Sequence, residues 1–180
     1  MKHIIISAIL VALTVGCGGS SNPKKPTMKV DAKTAIKVQK AIPFVKGARI
    51  ASNIRNECAL QTKLSSFVEA YSVGEGIGVI RARKVTKNTK GKALVITITD
   101  AVSSGNAFIG HRKFVSIKGT LYNNGKKQSG FTASRVSGGG AFGGFKGSCD
   151  VLGRTVKVLG QDVSSWLQHP VNGAHLGDRI

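Results

Sequence analysis

Two helical periods and one long β-hairpin in this 180-residue chain predict an α+β fold. The expected form is a two-layer sandwich, a meandering antiparallel sheet of about four to five strands with two amphipathic helices on one face. The first period is Leu60, Leu64, Phe67, Val68 and Tyr71, whose spacings of three and four place them on one helical face. The second is Cys149, Leu152, Val156, Leu159, Val163 and Trp166, stepping by three and four throughout. In the hairpin, Phe114, Ser116, Lys118, Thr120 and Tyr122 alternate with Val115, Ile117, Gly119 and Leu121. Asn124-Gly125 then supplies a turn pair that accepts positive φ.

Taken in order, Ile42, Phe44, Val45, Ala48 and Ile50 read as a first strand. Ser52-Asn53 offers an N-cap for a helix running to about Tyr71, and Gly74, Gly76 and Gly78 break it. Strands are expected over Ile77 to Val85 and Ala93 to Thr99, joined by a polar, lysine-rich turn. The return strand of the hairpin runs from about Lys127 to Val136, followed by a loose glycine connector at 138–144. Ser148 can cap the last helix, Asp150 complements its first turn and Pro170 stops it. The organisation expected is a leader at 1–16, a flexible basic tether at 17–40, a single α+β domain at 41–168 and a loose tail at 169–180.

Composition narrows the class. Hydrophobic residues make up 41%, enough for a packed core, and no collagen period, heptad array or 20-residue apolar span is present. Charge is lopsided, with 27 Lys+Arg against 8 Asp+Glu, a net +19. Lys29, Lys33 and Lys37 recur every four residues and would share one face of a helix. They read either as a solvated linker face or as a basic strip near anionic headgroups.

The N-terminus carries the most specific signal. Met1-Lys2-His3 is followed by an uncharged, mostly apolar run from Ile4 to Val15, too short to span a bilayer but suited to a secretory signal. It ends in Leu13-Thr14-Val15-Gly16-Cys17, which resembles the lipobox of bacterial lipoproteins, with Thr14 where such proteins most often carry Leu. The resemblance covers only residues 1 to about 20, and no family is recognised for the rest of the chain. It implies cleavage before Cys17 and acylation of its thiol and new amino group, a membrane anchor of more than one chain. Gly18, in place of Asp, implies by the same resemblance sorting to the outer membrane of a two-membrane bacterium, facing the periplasm.

With Cys17 acylated, Cys58 and Cys149 remain, and an oxidising compartment reads such a pair as a disulfide stapling the two helix starts. Two buried free thiols or a redox pair are the alternatives, though no Cys-x-x-Cys is present.

Catalytic patterns are missing. The eight acids do not pair in sequence, and neither a Gly-x-Ser-x-Gly elbow nor a complete phosphate loop occurs. Gly139 to Ser148 precedes a helix, but Lys146 follows Phe145 where the motif needs Gly. His169, His175 and Asp178 could ligate a metal only if the tail fixed their geometry. No enzyme, cofactor or metal is therefore expected.

Charge is the remaining functional clue. Arg81, Arg83, Lys84, Lys87, Lys90, Lys92, Arg112 and Lys113, with Lys126 and Lys127, fall on expected strand ends and hairpin tips. The first eight are the candidate anion-binding residues, for lipopolysaccharide, acidic phospholipid, peptidoglycan or an acidic partner protein. The bland alternative is charge that only keeps the domain soluble. A nucleic acid partner does not fit an anchored, exported chain with 6% aromatics and no stacking platform. Two functional classes result: a non-enzymatic envelope lipoprotein presenting a basic domain, or an accessory subunit of an envelope transport or secretion assembly.

Overall fold

The computed structural model describes residues 28–48, 50–104, 112–137 and 147–179. The expected leader, Cys17, the side chain of Arg112 and the glycine run at 138–144 lie outside the described residues. Among the described residues the order is β1 (Ile36–Gln39), α1 (Ser52–Glu57), α2 (Leu60–Gly74), β2 (Val79–Ala82), β3 (Lys92–Ser104), β4 (Arg112–Asn123), β5 (Lys126–Ser137), α3 (Ser148–Gln168) and β6 (Ala174–Gly177). The strands form one six-stranded sheet in the order β2-β1-β3-β4-β5-β6.

The centre of the sheet is the expected meander. β3 pairs antiparallel with β4, and β4 with β5, along nearly their whole lengths. Alternation aligns core rows across these strands: Leu94 opposite Leu121, Ile98 opposite Ile117 and Ala133, Ala101 opposite Val115. These seven side chains are buried against the helix layer. The β4–β5 turn has Asn124 at φ 48° and Gly125 at φ 82°, as the Asn-Gly pair requires.

The helices supply the second layer. On α2, Leu60, Leu64, Phe67 and Val68 are buried; on α3, Leu152, Val156, Leu159, Val163 and Trp166 are. The two helices pack against each other at Gly160, where a Cβ would lie 2.5 Å from Phe67 Cβ. The Phe131 ring covers Gly119 across the strand pair and meets Trp166 edge-on, with centroids 4.7 Å apart. That contact locks α3 to the middle of the sheet.

The edges differ from expectation. The sheet has six strands, and β1–β2, β1–β3 and β5–β6 are short parallel pairs. β1 lies inside the stretch read as tether. Ile36 and Val38 are buried while Lys37 and Gln39 are half-buried on the opposite face, so period two wins over the four-residue lysine spacing. The segment expected as the first strand only brushes the sheet: Val45 N–H donates to Ile98 O, and Ile98 N–H donates to Pro43 O. The strand expected over Ile77 to Val85 shortens to β2, four residues long. The single helix expected from Ser52 is two helices, because Ala59 at φ 50° turns the chain out of the helix. Neither Ser52 nor Ser148 caps; the N-cap residues are Ala51 and Gly147, and Ser148 Oγ instead accepts from Ser103 Oγ at 2.8 Å. Pro170 stands beyond the helix end as expected, but the tail is not loose: it adds β6 to β5.

Candidate functional site

The two turns at one end of the sheet are joined. Gly91 N–H donates to Asn124 Oδ1 at 2.8 Å, and Asn124 N–H donates back to Gly91 O at 3.0 Å. Gly91 at φ 82° makes the reversal that permits this exchange. The β2–β3 loop reaches this point by folding back across β1. Val85 N–H donates to Gln39 Oε1, and Lys37 Nζ donates to Lys90 O at 2.8 Å. Such a short link between two strands parallel to β1 is possible because β1 has only four residues.

The loop and the turn together carry Lys84, Lys87, Lys90, Lys92, Lys126 and Lys127, all exposed, with Arg83 exposed at the loop's start. Strand register sets Lys92 opposite Asn123 and Asn123 opposite Lys126. No acid occurs between Glu75 and Asp100, and none between Asp100 and Asp150. Asp31, ahead of β1, accepts from Lys33 N–H. Glu75, at the end of α2, accepts from Ser164 Oγ and Gln168 Nε2. Within this loop and turn, then, the field is set by lysines without acidic partners.

The remaining candidates are placed elsewhere. Arg81 turns toward α2, where its Nε pairs with Glu69 Oε2 at 2.7 Å, so its charge is matched within the fold. Lys113 is buried on the helix-facing side of β4. Arg112 and Lys113 lie at the far end of β4, about 33 Å from the turn at a strand rise of ~3.3 Å per residue. Lys37, expected to share one helical face with Lys29 and Lys33, stands instead on β1 between buried Ile36 and Val38.

The acid-containing tail is structural. Arg135 on β5 donates through Nε and Nη2 to both oxygens of Asp162 on α3, at 2.8 and 2.7 Å, and through Nη1 to Asp178. Hydrogen bonding to Asp162, against the opposing effect of burial, holds the guanidinium further above its usual range. Asp178 also accepts from Val136 N–H, and His175 hydrogen-bonds through Nδ1 with Thr132 Oγ1. Among the described residues no group of three His, Cys, Asp or Glu side chains is placed to hold a metal. Nor is any described helix long and apolar enough to cross a membrane.

Cys58 and Cys149 form the expected disulfide, with Cα atoms 4.7 Å apart. Cys58 ends α1 just before the Ala59 break, and Cys149 lies in the first turn of α3. The bridge holds the α1–α2 corner against the start of α3, beside the Ser103–Ser148 contact.

No protein-family model matches the sequence, and no curated protein matches it. Solved structures with a similar arrangement include a minor lipoprotein from Acinetobacter baumannii, at 10% identity and a TM-score of 0.40, covering 73% of this chain and 91% of that one. Lipoprotein GNA1162 from Neisseria meningitidis aligns at 17% identity and a TM-score of 0.44, covering 73% of this chain and 99% of that one. The PelC dodecamer from Paraburkholderia phytofirmans aligns at 9% identity and a TM-score of 0.44, covering 74% and 91%. Likeness at this level carries no function to this chain.

Proposed function

We propose that the protein is an exported, lipid-anchored envelope protein without catalytic activity, which presents the lysine-rich end of its sheet to an anionic envelope component. The observation that carries this reading is the docking of the β2–β3 loop on the β4–β5 turn, which gathers Lys87, Lys90, Lys92, Lys126 and Lys127 without an acid among them. The lipobox-like Leu13 to Cys17 supports the anchor, and the Cys58–Cys149 bridge is compatible with an oxidising compartment. An anchored chain samples the membrane surface at high effective concentration, so modest attraction per lysine, about 1 kcal/mol near the headgroups, suffices for contact.

The test is co-sedimentation of the purified full chain with vesicles containing acidic phospholipid or lipopolysaccharide, across a salt series. Binding is expected to fall steeply as salt rises. Replacing Lys84, Lys87 and Lys90 together by Gln is expected to weaken it roughly tenfold or more at low salt. Salt-independent binding, or binding that the triple variant retains, refutes the electrostatic reading.

A further inference from the structure

Beside the lysine-rich end lies a cleft of about 330 Å³ between the sheet and the segment that follows α3. Its size is at the small end of the roughly 300–1,000 Å³ seen for small-ligand sites, room for a single ring. Leu121 and Pro170 give it an apolar wall, and the strand at Tyr122 lines it further. Lys92, Asn123 and Gln128 stand around that wall, and Ser129 completes the lining.

Ser129 is the unexplained group. It is 3% exposed, and its Oγ has no hydrogen-bond partner among the described residues. A buried hydroxyl left unpaired is unfavourable, and folded proteins leave few of them. A β-bulge adjoins it: Leu121 pairs with Ser129 and Tyr122 with Lys127, so Gln128 is the extra residue. Bulges of this kind commonly re-aim a side chain beside a site. Gln128 is held there by its own Nε2, which donates to Lys126 O at 3.2 Å, leaving its Oε1 as an acceptor. Lys92 and Asn123 have no side-chain hydrogen bond within the described residues.

We infer that this cleft binds an acidic sugar unit, its carboxylate or phosphate accepting from Lys92 Nζ and Ser129 Oγ. The ring's apolar face would lie on Leu121 and Pro170, and its hydroxyls would meet Asn123 and Gln128. Lysine at the rim disfavours a cation, and the amides and the buried hydroxyl disfavour a purely apolar ligand. The inference deepens the anionic-partner reading and shares with it Lys92 and the sign of the ligand's charge.

The test titrates the full chain, isotope-labelled and held in detergent, with glucuronate, glucose 6-phosphate and neutral glucose, following backbone amide shifts. The acidic sugars are expected to move residues 121–130 and to bind about tenfold tighter than glucose. Whichever acid binds better names the acidic group, and a glucuronate-containing disaccharide against free glucuronate separates a polymer-borne source from a free one. Lys92→Gln is expected to erase the preference for acid over glucose. Ser129→Ala is expected to weaken binding about fivefold without lowering Tm, since it removes an unpaired hydroxyl. Equal binding of glucose and both acids, absence of acidic-sugar binding at about 10 mM, or unchanged affinity in both variants overturns the inference. The Lys84/Lys87/Lys90 triple variant retains Lys92 and Ser129, so it is expected to lose vesicles and keep acidic sugars. Failure of the vesicle assay alone therefore leaves the cleft standing, and failure of sugar binding alone leaves the vesicle reading standing.

Discussion

Reducing the Cys58–Cys149 bridge should be the largest single perturbation of stability that leaves every side chain in place. The two cysteines are 91 residues apart in sequence, so the bridge closes a long loop in the unfolded chain. The chain-entropy relation gives about 4.6 kcal/mol at 25 °C for a loop of that length, an upper figure because unfolded chains keep residual structure. For a chain of this size, each kcal/mol moves Tm by roughly 2–4 °C, so reduction should lower Tm by about 10–15 °C. The assay is urea unfolding of the oxidised protein and of the same protein held reduced, read by far-ultraviolet circular dichroism. Reduction keeps the buried Cys58 side chain, so the difference reports the cross-link itself, whereas a double Cys58→Ala/Cys149→Ala variant adds a packing loss on top. If oxidised and reduced proteins unfold within about 1 kcal/mol of each other, the loop-closure reasoning fails.

Gly160→Ala places a Cβ 2.5 Å from Phe67 Cβ and 3.1 Å from its carbonyl carbon, so α2 and α3 must separate. A loss of about 1–3 kcal/mol is expected by chemical denaturation, and an unchanged midpoint would show that the helices are not held this closely. Gly125→Ala puts a side chain at φ 82° and should cost about 1–2 kcal/mol, while also weakening the link between the two turns; protection of the Gly91 amide in hydrogen exchange reads the second effect. Burial raises the Tyr71 phenol above its ordinary value of 10.0, so the folded state favours the neutral form. That contribution is intact below pH 10 and is lost as pH rises past the unfolded value. The stability gap between wild type and Tyr71→Phe should therefore change above about pH 10 and stay level between pH 6 and 9; a gap level to pH 11 would contradict the assignment.

Where the sequence carried a long period, it specified the structure. The α3 stripe from Leu152 to Trp166 is buried as its spacing requires, and Asn124-Gly125 makes the turn its conformational preferences demand. Both signals are local and repeated, so they survive without knowledge of partners. β1 and β6 were not legible because each is four residues long and gains its hydrogen bonds from a strand distant in sequence. β1 was further masked by lysines on its opposite face, and β6 by the Pro170 and Gly173 turn residues before it. The split of the first helix turns on Ala59, a residue whose helix preference is the strongest of all and which nonetheless stands at φ 50° between α1 and α2.

The candidate site was half legible. Arg83 and the lysines at 84, 87, 90 and 92 could be named as a polar loop from composition, but composition could not show that the loop docks on the hairpin turn through Asn124. Arg81 illustrates the limit: alternation fixed its strand, and only the fold shows Glu69 beside it. Ser129 carried no signal at all, since an unpaired hydroxyl is a property of its surroundings.

Export, anchoring and the nature of the partners all follow from what happens at Cys17. Intact-mass and N-terminal analysis of the protein extracted from its native membrane tests this directly. The prediction is a chain beginning at Cys17 and carrying diacylglyceryl and acyl mass, with Cys17→Ala shifting the protein out of the detergent phase. A chain that retains Met1, carries no lipid and fractionates with the cytosol would contradict it.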